Sequence, residues 1–257
     1  MDTNSCSVAP MSSFGRAIEL FHLVLERDGE FDAARMSQIL EVPQSTIYRH
    51  LKALLSNGLL IRLGRAKYAP GPALLQRLAP YDSNQMLIEI VRPCLDTVSE
   101  KLGLVAHFGV FESEMVTYLV KSPRDCGILF TREGEQLEAY CSGIGKVLLA
   151  YMSVERRNAF LSCGPFPRLT EKTITDPELI ASELQQVRAQ AYAVDDGEVR
   201  SDIYCLAVPV MMGRQQIIGA VSASAFTRDA ITIERGWRLA ELRNTAMQIS
   251  ELLASTS

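Results

Sequence analysis

The sequence of 257 residues predicts an α+β protein of two unequal domains, and three observations carry the prediction. The first third holds two short helical patterns joined by a tight corner and followed by a basic hairpin. The remainder mixes helical stripes with paired strand runs separated by turns. Charge divides along the same line: residues 1–80 carry nine bases and seven acids, residues 81–257 carry 17 bases and 23 acids, within a net charge of −4. A basic element therefore rides on an acidic body.

Met1 to Ser12 is small and polar without periodicity and reads as an arm. Ser13 is a candidate N-cap for a helix over 14–25, with Ala17, Leu20, Phe21 and Val24 on one stripe. Arg16 near its start is a candidate phosphate contact, and His22 is expected to be partly buried. After a polar loop from Glu26 to Asp32, Met36, Ile39 and Leu40 give a short helix its inward face. Glu41-Val42-Pro43 turns the corner. From Gln44 to Asn57, Ile47, Leu51, Leu54 and Leu55 form a second inward stripe, and Gly58 stops it. Ser45, Thr46, Arg49 and Lys52 lie opposite, flanked by Tyr48 and His50, and supply donors for phosphates and base edges. Leu59–Leu63 and Lys67–Ala69 read as strands around the turn Gly64-Arg65-Ala66, with Arg62, Arg65 and Lys67 placed to reach a nucleic-acid backbone. Between Val42 and Pro80 there are six bases and no acid. Residues 13–71 thus describe a winged helix-turn-helix whose expected partner is double-stranded DNA.

Residues 72–102 read as a helical linker: a short apolar helix over 73–79, then an amphipathic pattern from Ser83 to Leu102 in which Pro93 predicts a kink or break. The second domain, 103–257, opens with strands Val105–Phe111, Met115–Val120 and Gly127–Thr131. Ser142-Gly143-Ile144-Gly145-Lys146 then leads into a helix. As a phosphate loop it fails, because Tyr140 stands where the first glycine belongs and Val147 where a hydroxyl would hold magnesium. The N–H groups at that helix entry still favour an anion such as a carboxylate. Helices follow over 153–161 and 176–191, the second with Asp176 at its N-cap and Pro177 at N1. Strands over 203–211 and 216–225 form a hairpin through Met212-Gly213-Arg214-Gln215, and alternation puts Ser222 and Ser224 on one face. A helix over 235–253 closes a mostly antiparallel α+β sensor-like domain.

Several classes are excluded. No apolar run reaches the roughly 18 residues of a membrane span and no signal-peptide pattern opens the chain, so no membrane is implied and a cytoplasmic location is the default. Six cysteines lack any C-x-x-C pair, which argues against a disulfide framework and a zinc site, and no cofactor motif is present. An enzyme acting on a small acid through Cys205 or a serine would need a base, and the three histidines His22, His50 and His107 offer little, His107 being expected in the core. A redox switch at Cys205 or Cys141 competes with the plainer reading of buried small hydrophobes.

Taken in order, Arg16-Ala17-Ile18, Gln44 to Leu51, Gly143 to Ala150, Thr170 to Thr173, Asp195-Asp196-Gly197-Glu198 and Cys205 to Val210 resemble the isocitrate lyase regulator (IclR) family of bacterial transcription regulators. The resemblance runs from Gly15 onward. It implies a homodimer or dimer of dimers with an N-terminal winged helix-turn-helix and a C-terminal GAF-like domain that binds a small organic acid. By position it points to Gly143, Ile144, Asp195, Cys205, Ser222 and Ser224 as the effector site. Asp195 and Cys205 come from the resemblance alone. The family usually has glycine at the positions of Ala191 and Asp202, and the acid at Asp202 is expected to reshape the pocket.

Overall fold

A computed structural model describes residues 12–26, 32–64, 66–123, 129–213 and 216–255. The chain divides into two compact units, Met1–Asp82 and Ser83–Ser257.

The first unit packs three helices, α1 (Ser13–Glu26), α2 (Ala33–Leu40) and α3 (Gln44–Ser56), against a two-stranded hairpin, β1 (Leu60–Arg62) and β2 (Tyr68–Pro70), followed by α4 (Pro72–Leu78). Leu20, Val24, Met36, Ile47, Leu51, Leu54, Leu60 and Tyr68 fill its core. Four details differ from the sequence expectation. Ser12, not Ser13, caps α1, its Oγ accepting the Gly15 N–H at 3.1 Å. His22 is exposed, while His50, expected on a flank, is buried. Ile39 faces solvent because α2 is only two turns long and its inward positions are filled by Ala33 and Met36. The expected arm and Arg65 lie outside the described residues.

The α2–α3 corner is held without glycine. Glu41 takes the left-handed conformation at φ 53, and Ser37 closes the turn, its Oγ donating to the Val42 carbonyl while its own carbonyl accepts the Val42 N–H. Asp32 caps the start of α2, accepting the Arg35 N–H at 2.7 Å.

The second unit is a six-stranded antiparallel sheet with helices on both faces. In chain order come α5 (Ser83–Leu102), β3 (Val105–Glu112), β4 (Met115–Ser122), β5 (Gln136–Glu138), α6 (Gly143–Tyr151), α7 (Val154–Ser162), α8 (Pro177–Gln190), β6 (Ala193–Asp196), β7 (Tyr204–Met212), β8 (Gln216–Ala225), α9 (Asp229–Thr232) and α10 (Arg235–Ser255). The strand order is β5-β4-β3-β8-β7-β6. Helices α5 and α10 cover one face through Leu95, Val98, Phe108, Leu206, Val221 and Leu242; α6 and α8 cover the other through Ile144, Val147, Leu148, Leu184, Ala207 and Ala220.

Helix α5, read from sequence as part of the stretch connecting the domains, lies on this sheet, and it runs through Pro93 unbroken. Packing of its apolar stripe offsets the one lost backbone bond. Leu129–Thr131 is not a strand; Gly127 and Ile128 lie outside the described residues. The edge partner of β4 is instead β5, which with β6 and α9 had no sequence prediction. Asp176 caps α8 as expected, accepting from the Glu178 and Leu179 N–H groups. Ala191 ends that helix in the left-handed region at φ 58, the conformation a glycine would hold without strain.

Candidate functional site

Two places bring the predicted residues together. On the first unit, α3 presents Ser45, Tyr48, Arg49 and Lys52 to solvent, with Thr46 half-buried and Arg16 of α1 half-buried beside them. Pro43, the cap of α3, has no side chain to bond the first-turn N–H groups, so that end of the helix suits an anion. Arg62 and Lys67 are exposed on the hairpin, where Leu63 N–H bonds the Lys67 carbonyl at 2.8 Å and Arg62 Nε donates to the Gly64 carbonyl at 2.8 Å. A cleft of about 520 Å³ runs between α3 and this wing, lined by Tyr48, Lys52 and Arg62 among others. His50, buried beneath, is pushed below the usual histidine range by burial and then by Arg49 and Arg16, so it adds no charge to the face.

On the second unit, sheet register builds a row of functional groups. Neighbouring strands pair Asp195 with Cys205, Cys205 with Ser224 and Ser224 with Val105. Two residues along, Ala193, Ala207, Ser222, His107 and Lys121 stand in line. The entry of α6 lies over these rows. A Cβ on Gly143 would stand 3.4 Å from those of Ala207 and Cys205, and one on Gly145 would collide with the Ala139 backbone at 2.2 Å, so close approach requires glycine at Gly145. Ser142 caps the helix, accepting the Gly145 N–H on its side chain and the Lys146 N–H on its carbonyl. The N–H groups of Gly143 and Ile144 are left as ones the helix does not use.

Gly143, Ile144, Asp195, Cys205 and Ser222 all line one cavity, with Tyr118, Leu129, Phe130, Thr131 and Ile203 on its other walls. Its volume is about 20 Å³, room for roughly one water molecule. Ser224 stands just behind, 3.1 Å from Cys205 Sγ. No lysine or arginine is among the lining residues.

Asp195 is buried, and its Oδ1 accepts the N–H groups of Gly197 at 3.1 Å and Glu198 at 2.7 Å. Burial pushes its carboxyl up to about 7, the N–H bonds opposing and the Glu198 charge adding. Cys205 and Cys141 are thiols raised far above their ordinary range by burial and by the nearby Asp195. A thiolate nucleophile or peroxide sensor needs the opposite shift.

Sequence reasoning missed the charge cluster behind the cavity. Lys146, 1% exposed, bonds Glu198 in a short contact, Glu183 at 3.3 Å and the Val194 carbonyl at 3.1 Å. Burial pulls the Lys146 ammonium down, but Glu198, Glu183 and Asp195 outweigh it and its pKa stands above the usual lysine range. The pair ties α6 to the segment after β6. A lysine one turn into an apolar helix was the available signal. Asp202, expected to reshape the pocket, does not reach it: it is exposed and forks onto Arg200 at 2.8 and 2.6 Å.

This combination of a winged unit and a sheet domain matches known proteins. Residues 80–251 match the family model described as bacterial transcriptional regulator IclR, C-terminal. The chain belongs to the IclR family. Among curated relatives it is 30% identical over 208 residues to the uncharacterized HTH-type transcriptional regulator RhmR of Escherichia coli, covering 80% of each chain. It is 28% identical to the Pca regulon regulatory protein of Pseudomonas putida, covering 83% of this chain and 74% of that one. Among solved structures, a putative regulator from Rhodococcus aligns with TM-score 0.63 at 22% identity, covering 96% of this chain and 100% of that one. An IclR homologue from Microbacterium hydrocarbonoxydans complexed with 4-hydroxybenzoate aligns with TM-score 0.62 at 23% identity, covering 95% and 100%. This chain's IclR relatives are named as transcriptional regulators rather than enzymes. No helix among the described residues is long and apolar enough to cross a membrane.

Proposed function

We propose that this IclR-family regulator binds double-stranded operator DNA under the control of a small organic carboxylate held in its second unit. Reading rests on Ser45, Thr46, Tyr48, Arg49 and Lys52, with Arg16, Arg62, Arg65 and Lys67 on phosphates. The acid group sits against the free N–H groups of Gly143 and Ile144, with Ser222, Cys205 and Asp195 around it and Ser224 supporting Cys205. Protonated Asp195 serves as a donor to that carboxylate, which is why the cavity needs no cation. A homodimer or dimer of dimers presents two readers to two half-sites, and 13–71, 72–102 and 103–257 serve as reader, connector and sensor.

The observation that carries this reading is the convergence of residues from α6, β6, β7 and β8 on one cavity whose only ionisable carboxyl titrates near neutrality. At about 20 Å³ the cavity must widen to admit an acid, so an effector favours the widened form by its differential affinity. That shift is the control.

The test is a thermal-shift and calorimetric screen of the purified protein against small aromatic and aliphatic carboxylates, including 4-hydroxybenzoate. At 100 times its dissociation constant a true effector stabilises by about 2.7 kcal/mol. The response is expected to vanish in Ser222→Ala and to change DNA affinity in wild type. Acids that bind equally well to Ser222→Ala would place the sensor elsewhere.

A further inference from the structure

Thr170 to Thr173, one of the segments that carries the family resemblance, forms a tight turn ahead of α8, closed by the Thr173 N–H on the Thr170 carbonyl at 3.3 Å. It is joined to the turn that follows β6 carbonyl by carbonyl. Lys172 Nζ donates to the Asp196 carbonyl at 2.8 Å, Thr170 Oγ1 to the Gly197 carbonyl at 2.8 Å and Thr173 Oγ1 to the Glu198 carbonyl at 2.7 Å. Thr173 is 2% exposed, and its hydroxyl oxygen in turn accepts the N–H groups of Leu169 at 3.1 Å and Thr170 at 2.8 Å.

A peptide group is planar and trans, so a carbonyl held on one side points the N–H of the next residue the opposite way. The three held carbonyls belong to the peptide groups whose N–H atoms come from Gly197, Glu198 and Val199. The first two donate to Asp195 Oδ1 at 3.1 and 2.7 Å, and the third also lowers that carboxyl against the effect of burial. Hydrogen bonds in such a chain polarise one another, so a hydroxyl or ammonium bonded to the carbonyl makes the N–H a stronger donor. The turn depends on Gly197, whose φ of 85 lies in the left-handed region.

We infer that Thr170, Lys172 and Thr173 are positioning residues of the effector site: through three consecutive peptide groups they aim N–H donors at the Asp195 carboxyl and fix it on the cavity wall. None of the three is among the residues that line the cavity, so each acts through Asp195. For its ligand this rests on the acid-sensor reading above; for the clamp it rests on the hydrogen bonds just given.

The clamp sets the pH at which Asp195 changes charge. Burial and the Glu198 charge raise the carboxyl, and the N–H groups and Lys146 oppose them, which leaves it at about 7. Loosening the clamp removes part of the opposition, so the proton is held to higher pH. The other ionisable groups facing Asp195 are Glu198 on its own turn, Lys146 on α6 with Glu183 of α8 behind it, Cys141 before α6, Cys205 on β7 and Tyr118 on β4. Substitution at Thr170 or Thr173 changes none of them.

The test uses the full chain, first without ligand. Aspartate carboxyls are labelled with carbon-13, and the Asp195 resonance is assigned by its absence in Asp195→Asn. Its titration midpoint is expected to rise by about one pH unit in Thr170→Val and in Thr173→Val, which keep the side-chain shape and lose the hydroxyl, and to stay at the wild-type value in Thr173→Ser. Thr170→Val serves alone if Thr173→Val, at the more buried position, fails to fold. Calorimetry with benzoate, butanoate and 4-hydroxybenzoate between pH 6 and pH 8 then reads the site. Because protonated Asp195 holds the acid, affinity should fall as pH rises, and later in the valine variants. Relative to their own value at pH 6, they should keep about five times more of it at pH 8 than wild type does. A merely structural clamp would lower affinity equally at every pH. A midpoint unmoved in both valine variants, moved as far in Thr173→Ser, or moved with no change in the acid profile would overturn the inference. Binding by none of the acids would remove the acid-sensor reading, and the midpoint, measured without ligand, would still confirm or overturn the clamp.

Discussion

The two units of this chain use charge in opposite ways. In the first, Arg49, Lys52, Arg62 and Lys67 are exposed, and the buried His50 is pushed below the usual histidine range by burial. In the second, Lys121, Lys146, Asp195, Glu198 and His107 are each at most 5% exposed. Solvated charges act one at a time and are weakened by salt; buried ones are coupled to one another and to packing. A DNA reader benefits from the first arrangement and a ligand sensor from the second, since a coupled cluster registers a new charge or hydrogen bond as a change in the whole.

The contrast can be broken most directly at Glu198. Glu198→Ala leaves Lys146 buried with only the more exposed Glu183 as acid partner, and is expected to destabilise the second unit by about 3 kcal/mol. Urea unfolding followed by the single tryptophan, Trp237 in α10, reads that unit alone. Lys52→Ala on α3, whose own unit is followed by far-ultraviolet circular dichroism, should stay within about 0.5 kcal/mol. Similar losses in the two variants would erase the distinction.

Next in size is a pH effect. The Asp195 carboxyl is raised from 3.8 to about 7 in the folded chain, so between those values the folded state binds the extra proton and this group makes stability fall as pH rises. Asp195→Asn should remove that part of the slope, a difference on the order of a few kcal/mol between wild type and variant across the window. Parallel stability curves for the two proteins from pH 4 to pH 7 would mean Asp195 is not perturbed.

Smaller still are the caps. Asp32→Ala and Ser142→Ala each remove one N-cap bond and are expected to destabilise their own unit by about 1 kcal/mol. Only Ser142→Ala should also weaken acid binding. The smallest change is in salt dependence: Arg49→Ala should reduce the slope of log affinity against log salt by about 0.9 on a mixed-sequence duplex, with stability unchanged. An unaltered slope would take Arg49 off the phosphate-contacting face.

How much of this was legible in the sequence follows the range of the interactions. The α3 stripe, the hairpin and the Asp176-Pro177 cap are written in neighbouring residues, and the structure follows them. The helix entry and the serine pair on β8 were also local; the entry and Ser222 line the cavity, and Ser224 stands behind Cys205. Partners that the topology brings together were not legible: Lys146 and Glu198 are 52 residues apart, His107 and Thr131 24 apart. Strand β5 is three residues long and owes its pairing to β4 rather than to its own apolar pattern. The expected strand ending at Thr131 failed for a related reason. The carbonyls of Leu129 and Thr131 are claimed by the Lys121 ammonium instead of a ladder.

The contact of Gly145 with the Ala139 backbone decides which wall of the cavity can yield. Backbone resting on backbone leaves no side chain to rotate away, and one residue later Lys146 is moored to Glu198. The α6 entry is therefore an anvil. Opposite it stand Leu129, Phe130, Thr131 and Ile203, which belong to no strand or helix. Any displacement an acid produces must start on that side and be handed to β3 and β4, the strands to which His107 and Lys121 fasten it. The mechanical output of the sensor would then leave through α5, which packs on those same two strands.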